Sequence, residues 1–325
     1  MATPDLALVS PIVSALVTLP LIVWMLRWRD RLPLDVPNPR SLHSHAVPRS
    51  GGIAIMAGIL TGFALMQTPL VIVLPLVVLV AFSHFDDVSG LPIPVRLAAQ
   101  LAATAAFAYG ALPALGLPVL ALVVLGALWM TNLYNFMDGS DGLASGMTVL
   151  GFSFLGAGAW LSGDIALLAD CAIVAAAAAA FLLFNFPPAR LFMGDAGSIP
   201  IGFMAAALSV SGWRDGDWPL WFPAAVFAPF IVDATLTLAW RLVSGERVWD
   251  AHNRHYYQRL VRMGWGHRKT ALAEYGVMLA CGAVSLWALR APPYVQAYAL
   301  AGLAALLAIL ALWIDAAWRR RRALH

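Results

Sequence analysis

The chain has 325 residues, of which 61% are hydrophobic and only 11% are charged, with a mean hydropathy of +0.80. A soluble domain carries roughly twice that charged fraction, so the composition excludes an ordinary soluble protein. The formal net charge of +3 does not indicate a nucleic-acid partner, because the basic residues flank apolar segments instead of forming a basic domain. Cys171 and Cys281 lie far apart in apolar segments, which argues against a disulfide scaffold or a cysteine metal site.

Apolar segments that are long enough to cross a bilayer recur along the chain, since a crossing takes roughly 20 apolar residues, or about 17 at the short end. Asp5 rather than a basic stretch precedes the first of them, which is therefore predicted to be a retained helix and not a cleaved signal. The predicted fold class is all-α, a polytopic integral membrane protein with residues 1–325 in one membrane-embedded domain. The eleven predicted spans are 6–26, 52–68, 70–84, 97–112, 115–131, 145–162, 165–184, 198–213, 219–240, 271–289 and 295–316.

The basic residues orient this bundle, because Lys and Arg are concentrated in cytosolic loops. With the N-terminus outside and the C-terminus in the cytosol, every Lys and Arg except Arg214 and Arg290 falls on the cytosolic side. Polar clusters at one face of a membrane protein point to a functional site there, although solvated loops are the plain alternative. The predicted cytosolic loops that would carry the active site are 27–52, 84–97, 131–145, 185–198 and 241–270.

The first two of these loops carry opposite charges. The first motif, residues 38–52, combines arginines with a Gly-rich helix start, which suits phosphate binding; a basic loop that only sets topology explains it equally well. The second motif, residues 86–100, begins with Asp86 and Asp87 at a helix end, where the helix dipole is already negative. A divalent cation or cationic partners would resolve that conflict, and a solvated acidic turn is the alternative.

The third motif, residues 132–142, contains two Asn and two Asp residues among glycines. Such oxygen-rich turns suit hard cations or ribose hydroxyls, although the closing Glu of an EF-hand is missing and a turn with an Asp helix cap is the alternative. In the fourth motif, residues 185–198, prolines end one helix and Gly194-Asp195-Ala196-Gly197-Ser198 opens the next. Asp195 is therefore expected at the membrane surface, either as a functional carboxylate or as a plain helix cap.

The fifth motif, residues 252–260, places His252 and His255 at the spacing of one helix face, as zinc sites do. No third nitrogen or sulfur ligand follows nearby, so an anion-binding surface with Arg254 and Arg259 is the better interpretation, and an amphipathic surface helix the alternative. Asp233 lies inside the ninth span. It is either a functional intramembrane carboxylate or a hydrogen-bond partner in helix packing, and the sequence leaves both open.

In their order these five motifs resemble those of the polyprenyl-phosphate N-acetylhexosamine-1-phosphate transferases, over roughly residues 35 to 270. The peptidoglycan branch of that superfamily has a Lys where this chain has Gly90, and a triple-His-Phe-Glu segment where this chain has residues 252–258. The chain is therefore similar to the hexosamine branch, nearest to O-antigen-initiating enzymes. The matching residues outside the site sets given below are Asn38, Ser41, Pro48, Gly51, Gly52, Arg96 and Gln100.

The resemblance implies transfer of an N-acetylhexosamine 1-phosphate from a UDP-sugar to undecaprenyl phosphate with release of UMP, initiating a cell-envelope polysaccharide such as the O-antigen of lipopolysaccharide. It implies an active site on the cytosolic face of the bacterial inner membrane, in contact with membrane lipids, and it leaves a homodimer open. It implies Mg²⁺ as the cofactor, with Mn²⁺ as a substitute, held by Asp195, Asp86 and Asp87.

The same resemblance implies roles for individual residues. Asp86 and Asp87 are expected beside the prenyl phosphate, and Phe192 is expected to stack on uracil. The implied catalytic residues are Asp86, Asp87, Asp138, Asp141 and Asp195. The implied substrate-binding residues are Arg40, His43, Arg49, Asn132, Asn135, Asn185, Phe192, His252, Arg254 and His255.

Two other classes of membrane protein fit the composition less well. A secondary transporter would show inverted repeats and broken helices at the midplane, whereas the polar clusters here sit at one face. An alcohol phosphatidyltransferase would carry an Asp-Gly-x-x-Ala-Arg run with further spaced Asp residues, and Asp141-Gly142-Leu143-Ala144 lacks that continuation.

Overall fold

The computed structural model describes residues 4–37, 41–43, 45–247 and 252–323, and this part of the chain is almost entirely helical. A two-residue antiparallel pair interrupts the helices in the first loop, with Leu34 opposite Pro48 and Asp35 opposite Val47. The elements are α1 (Pro4–Arg27), β1 (Leu34–Asp35), β2 (Val47–Pro48), α2 (Gly51–Met66), α3 (Leu70–Ser89), α4 (Ile93–Ala111), α5 (Leu117–Phe136), α6 (Leu143–Ser162), α7 (Ile165–Asn185), α8 (Asp195–Asp215), α9 (Trp221–Val226), α10 (Ala228–Val243), α11 (Tyr256–Leu260), α12 (Gly266–Ala288) and α13 (Pro293–Ala323).

A helix occupies each of the eleven predicted segments, and the all-α polytopic fold class is confirmed. Among the described residues, eight helical stretches are long and apolar enough to cross a membrane, and α2 is shorter. The ninth predicted segment is divided into α9 and α10, which meet at Phe227 with Pro229 in the next turn. The number of crossings and the sides on which the termini lie stay predictions.

The core of the bundle lies around α8, whose apolar window is 94% buried, whereas the corresponding windows of α1 and α13 are 22% and 17% buried. Small residues allow this close packing, as they do between membrane helices in general. A side chain on Gly202 of α8, for example, would place its Cβ 2.7 Å from the backbone oxygen of Met130 on α5. The peripheral helices instead expose Leu, Val and Trp side chains, as a lipid-facing surface requires.

The polar motifs meet at one end of the bundle, where α3, α5 and α7 end and α2, α4, α6, α8 and α12 begin. The first and fourth motifs lie side by side there. The N–H of Phe192 donates to the oxygen of Pro48 at 2.8 Å, and the N–H groups of Gly51 and Gly52 donate to residues 192 and 193 at 2.9 and 2.8 Å. A Cβ on Gly52 would lie 2.3 Å from the nitrogen of Gly197, so glycine is required where α2 and α8 begin in contact.

Candidate active site

A cavity of about 200 Å³ opens at this end of the bundle. All four motifs from the first to the fourth contribute to its wall, together with the start of α12. Of the predicted site residues, those that line it are His43, Arg49, Asp87, Asn135, Asp138, Asp141, Asn185, Phe192 and Asp195. The sequence interpretation missed Asp35, Ser140 and His267, which also line it. Their common signal is a polar side chain in a predicted cytosolic loop, inside a recognised motif for Ser140 and near one for Asp35 and His267.

Asp87 joins the second motif to the fourth. Its Oδ2 accepts a hydrogen bond from the N–H of Ala196 at 2.9 Å, and its Oδ1 accepts one from the N–H of Asp195 at 3.3 Å. The carboxylate therefore caps α8, where free N–H groups and the helix dipole favour a negative charge. Gly194 makes this approach possible: its φ is +72°, and a Cβ there would lie 2.5 Å from the oxygen of Arg49 and 3.0 Å from Oδ2 of Asp87.

Asp86 is paired with Arg96 and is not among the residues that line the cavity. Its Oδ2 accepts a hydrogen bond from Nη1 of Arg96 at 2.8 Å, and its Oδ1 accepts one from the N–H of Leu91 at 2.6 Å. The cationic partner that the adjacent carboxylates were expected to need is thus Arg96 on α4. Asp86 does not line the cavity, and Nη1 of Arg96 lies between its carboxylate and that of Asp195.

Asp195 stands at the first position of α8 with its side chain 28% exposed. Nδ2 of Asn135 donates to its Oδ1 at 2.8 Å, and Nη1 of Arg96 lies 3.5 Å from its Oδ2. The second, third and fourth motifs therefore orient this one carboxylate together. Its exposed fraction leaves it able to accept a further ligand from the cavity.

Asp138 is half-buried in the cavity wall, and no described group donates a hydrogen bond to its carboxylate. Burial raises the pKa of Asp138 well above its usual value, and the negative charges of Asp195, Asp87 and Asp35 add to that shift. A carboxyl group in this position gains free energy by binding either a proton or a cation.

Among the described residues, the cavity holds more negative than positive side chains, because five Asp residues and one arginine, Arg49, line it. Nη2 of Arg49 donates to the backbone oxygen of Asp87 at 2.5 Å, and its Nε is buried without a hydrogen-bond partner. Within the described residues, no three Asp, Glu, His or Cys side chains form a complete metal site. This donor set fits Mg²⁺, which keeps several waters and takes only one or two protein carboxylates plus substrate phosphates.

Two of the predicted asparagines connect parts of the site to each other: Asn185 connects two motifs and Asn132 connects two helices. Oδ1 of Asn185 accepts from the N–H of Gly142 at 3.0 Å and from Oγ of Ser145 at 2.7 Å, while its Nδ2 donates to the oxygen of Leu191 at 3.0 Å. Asn185 thus lines the cavity but ties the third motif to the fourth. Asn132 does not line the cavity; its Nδ2 donates to Oε1 of Gln100 at 2.8 Å and connects α5 to α4.

In the first motif, Arg40 and Asn38 lie outside the described residues. The rings of His43 and Phe192 pack against each other at an interplanar angle of 66°, with their centroids 5.0 Å apart. Its Nε2 lies 3.3 Å from Oδ2 of Asp35, and its Nδ1 lies 2.9 Å from the oxygen of His45. The aromatic face of Phe192 and these polar groups together form one rim of the cavity.

The fifth motif does not line the cavity among the described residues. His255 is 2% exposed, stacks between Phe136 and Tyr257, and places Nδ1 3.0 Å from Oδ1 of Asp233. Of the two roles that the sequence left open for Asp233, the structure shows a hydrogen-bond partner in packing. The ring of His255 stacks on Tyr257, whose hydroxyl donates to the oxygen of Phe136 at 3.1 Å. The fifth motif therefore supports the end of α5, next to the third motif, from outside the cavity.

The other two predicted residues of the fifth motif lie farther out. Arg254 is exposed and forms an ion pair with Glu246. Burial and the positive charges of His255, Arg241 and Arg254 lower the pKa of His252 to about 4. His252 is therefore a neutral imidazole near pH 7, which can donate or accept a hydrogen bond but carries no charge to attract a phosphate.

The sequence of this chain is similar to those of known proteins. A family model described as glycosyl transferase family 4 matches residues 69–213, a range that holds the second, third and fourth motifs. A probable undecaprenyl-phosphate N-acetylglucosaminyl 1-phosphate transferase of Bacillus subtilis (strain 168) is 28% identical over 275 residues, covering 78% of this chain and 77% of that protein. A phospho-N-acetylmuramoyl-pentapeptide-transferase of Staphylococcus aureus (strain JH9) is 30% identical over 165 residues, covering 51% of this chain and 50% of that protein.

Proposed function

The chain belongs to the superfamily of polyprenyl-phosphate sugar-1-phosphate transferases, and from that membership we propose that it transfers an N-acetylhexosamine 1-phosphate from a UDP-N-acetylhexosamine to undecaprenyl phosphate. UMP is released, and the lipid product initiates a cell-envelope polysaccharide such as an O-antigen. The observation that supports this most directly is the carboxylate-rich cavity with Arg49 in its wall, at one end of an apolar helix bundle. We place this end at the cytosolic face of the bacterial inner membrane.

The reaction is a phosphoryl transfer, in which a protein contributes mainly positioning and charge stabilisation. An oxygen of the prenyl phosphate attacks the β-phosphorus of the UDP-sugar, and the bond from that phosphorus to the UMP oxygen breaks as UMP leaves. The second pKa of a phosphate monoester is about 6, so the attacking group is largely ionised at neutral pH and needs no strong base. Asp87 and Asp195 therefore orient the reactants in this proposal.

The donor occupies the part of the cavity lined by Asp138, Asp141 and Phe192, which we call the donor half. The ring of Phe192 stacks on uracil, and Arg49 meets the diphosphate. Two features of Arg49 support this assignment: its guanidinium lines the cavity, and its Nε lacks a hydrogen-bond partner. The acceptor approaches from the end of α3, where Asp87 faces the same cavity and the apolar helix surfaces can receive the prenyl chain.

Two anionic substrates cannot approach an acidic cavity without added positive charge, which supports a divalent cation as cofactor. We propose that Asp195 and Asp87 hold Mg²⁺, with Mn²⁺ as a substitute, and that Asp86 is occupied by Arg96. When bound, the ion neutralises phosphate charge and stabilises the charge that develops on the leaving group.

A lipid-transfer assay tests the proposal. Purified protein, undecaprenyl phosphate and Mg²⁺ are incubated with a panel of radiolabelled UDP-sugars that includes N-acetylglucosamine, N-acetylgalactosamine, their deoxy relatives and N-acetylmuramoyl-pentapeptide. We expect metal-dependent lipid product and UMP with an N-acetylhexosamine donor, and a loss of more than about 100-fold in Asp195→Asn, a size typical of removing one stabilising group.

Asp215→Asn is the matched control, because Asp215 ends the helix that Asp195 begins and pairs with Arg214 at the opposite end of the bundle. It should retain wild-type activity. If no UDP-N-acetylhexosamine gave a lipid product, or if both variants lost activity equally, the proposed reaction or its placement at this cavity would be wrong.

A further inference from the structure

The first turn of α12 reaches the cavity although no motif of the site includes it. His267 follows Gly266 at the start of this helix, lines the cavity, and has a side chain that is 19% exposed. Its Nε2 lies 3.0 Å from the oxygen of Leu42 in the first motif. Its Nδ1 lies 2.9 Å from Oγ of Ser140 and 3.3 Å from the backbone nitrogen of Asp141 in the third motif.

In the neutral form of the imidazole, these partners determine which nitrogen carries the hydrogen. A carbonyl oxygen can only accept, so Nε2 donates to Leu42. Nδ1 then has a free lone pair and accepts from the hydroxyl of Ser140 and the N–H of Asp141. The imidazole therefore joins one segment that lies 225 positions from it and another that lies 127 positions from it along the chain, at the points where both form the wall of the cavity.

Both segments bear directly on the donor half. Leu42 precedes His43, whose ring packs against Phe192. Asp141 is fixed from its other side by the N–H of Ala189, which donates to its Oδ2 at 2.9 Å. His267 thus completes the support of one donor-half carboxylate and of the loop next to one donor-half aromatic ring.

A second residue of α12 supports the same turn. The hydroxyl of Tyr275 donates to the oxygen of Gly142 at 2.6 Å, and its ring fills the space where a side chain on Gly146 would stand, 2.0 Å from the added Cβ. His267 and Tyr275 are eight residues apart, which is about two helical turns and places them on one face. This face of α12 lies along the third motif.

We propose that His267 is a positioning residue for the UDP-sugar. Its imidazole holds Asp141 and the first motif in the arrangement that the donor half requires. This rests on the proposed function, because it is that function which assigns the donor half to a UDP-sugar. His267 acts through Asp141 and Leu42, so its loss changes donor binding while the acceptor side, at Asp87 and the end of α3, is unaffected.

Steady-state kinetics of His267→Ala with both substrates varied separately test this. We expect the KM for the UDP-sugar to rise about tenfold, the size expected for losing one to two hydrogen bonds, and the KM for undecaprenyl phosphate to stay as in the wild type. Calorimetric titration with UDP should show the same weakening without turnover. Equal changes in both KM values, or unchanged binding of UDP, would overturn the proposal.

Two conservative variants separate the two contacts. The amide of His267→Asn reaches the position of Nδ1 and can keep the contact to Ser140, whereas the amide of His267→Gln reaches the position of Nε2 and can keep the contact to Leu42. Each should restore part of the affinity for UDP that His267→Ala loses. Ser140→Ala removes the contact to Nδ1 from the other side, so it should lower the affinity for UDP about as much as His267→Gln does. Because it is a smaller change, it also keeps the test available if His267→Ala fails to fold.

Lys269→Gln is the matched control, because Lys269 is an exposed residue on α12, the same helix as His267, and does not line the cavity. It should leave both KM values unchanged. The wild-type protein separates the two levels of failure: if it neither binds UDP nor transfers a sugar phosphate, the proposed function fails. If it does both and the His267 variants match it, only the role of His267 fails.

Discussion

His255 places Nδ1 of its ring 3.0 Å from Oδ1 of Asp233, a carboxylate that lies in the middle of α10. The same carboxylate accepts the N–H groups of Tyr256 and Tyr257 at 3.0 Å each and therefore caps α11. A charged side chain in an apolar segment thus fixes the direction in which the chain returns from the end of α10 to the site. Asp233 therefore holds the fifth motif in place, because its carboxylate oxygens accept N–H groups of Tyr256 and Tyr257 that would otherwise be buried without a partner.

Asp233→Asn should destabilise the protein by about 2–3 kcal/mol, because it replaces charge-assisted hydrogen bonds in a buried position with weaker neutral ones. Thermal unfolding in detergent should show a lower Tm, and activity should fall because His255 and Tyr257 no longer support the third motif. Thr237→Val removes a single 3.2 Å hydrogen bond to the same carboxylate and should cost about 1 kcal/mol. An Asp233→Asn protein with wild-type Tm would contradict this role.

Asp86 and Asp195 should differ in their response to metal. Asp86 accepts hydrogen bonds from Arg96 and the N–H of Leu91 and does not line the cavity, so Asp86→Asn should lower activity through Arg96 without changing the Mg²⁺ concentration at half-maximal activation. Asp195→Asn should raise that concentration or abolish activation. Metal titrations of the transfer reaction measure both, and a shift in Asp86→Asn as large as that in Asp195→Asn would place Asp86 among the ligands.

The positions of the helices could be predicted from the sequence because the bilayer imposes a length on every apolar segment. The division of the ninth segment was not predicted, since apolar character continues through Phe227 where the helix breaks. That most of the motifs meet at one end of the bundle was also predictable, because the predicted topology places all their loops on the same side; which side of the membrane this is stays a prediction.

The orientation of individual side chains could not be predicted in the same way. Asp86 and Asp87 are adjacent, so they differ by about 100° around the helix axis, and packing against α4 and α8 decides which one faces the cavity. The resemblance gave both the same role. His267 was missed for a different reason: its partners Leu42 and Ser140 are remote in sequence, and no local pattern marks a contact over that distance.

Gly194→Ala should abolish activity and lower Tm, because the φ of +72° disfavours any residue with a side chain and the added Cβ would lie 2.5 Å from the oxygen of Arg49. Relief of that contact would move Arg49 away from Asp87. Asp87 is the residue that binds both Arg49 of the first motif and the N–H of Ala196 in the fourth motif. Gly126→Ala is the matched control, since Gly126 lies within α5 with open space around it and alanine favours the helix by up to about 1 kcal/mol. Equal Tm changes in the two variants would refute the steric argument.

Asp138→Asn should make the metal-free protein more stable at neutral pH while it removes activity. Burial beside Asp195, Asp87 and Asp35 raises the pKa of Asp138, so the folded state binds this proton more tightly than the unfolded state, whose Asp residues titrate near 3.9. Wild-type stability should therefore fall as the pH rises from about 4 through the raised pKa, because ionised Asp138 is disfavoured only in the folded state. Asparagine cannot ionise and removes that part of the dependence.

Melting curves in EDTA between pH 4.5 and 8 measure the difference. The Tm of Asp138→Asn should exceed that of the wild type most at pH 8 and approach it toward pH 4.5. Addition of Mg²⁺ should raise the Tm of the wild type at pH 8, because a cation offsets the repulsion among the carboxylates, and should raise that of Asp138→Asn less. Asp215→Asn, which removes a carboxylate far from the cavity, should show neither effect; a Tm difference between Asp138→Asn and wild type that did not vary with pH would rule out titration of Asp138 as its cause.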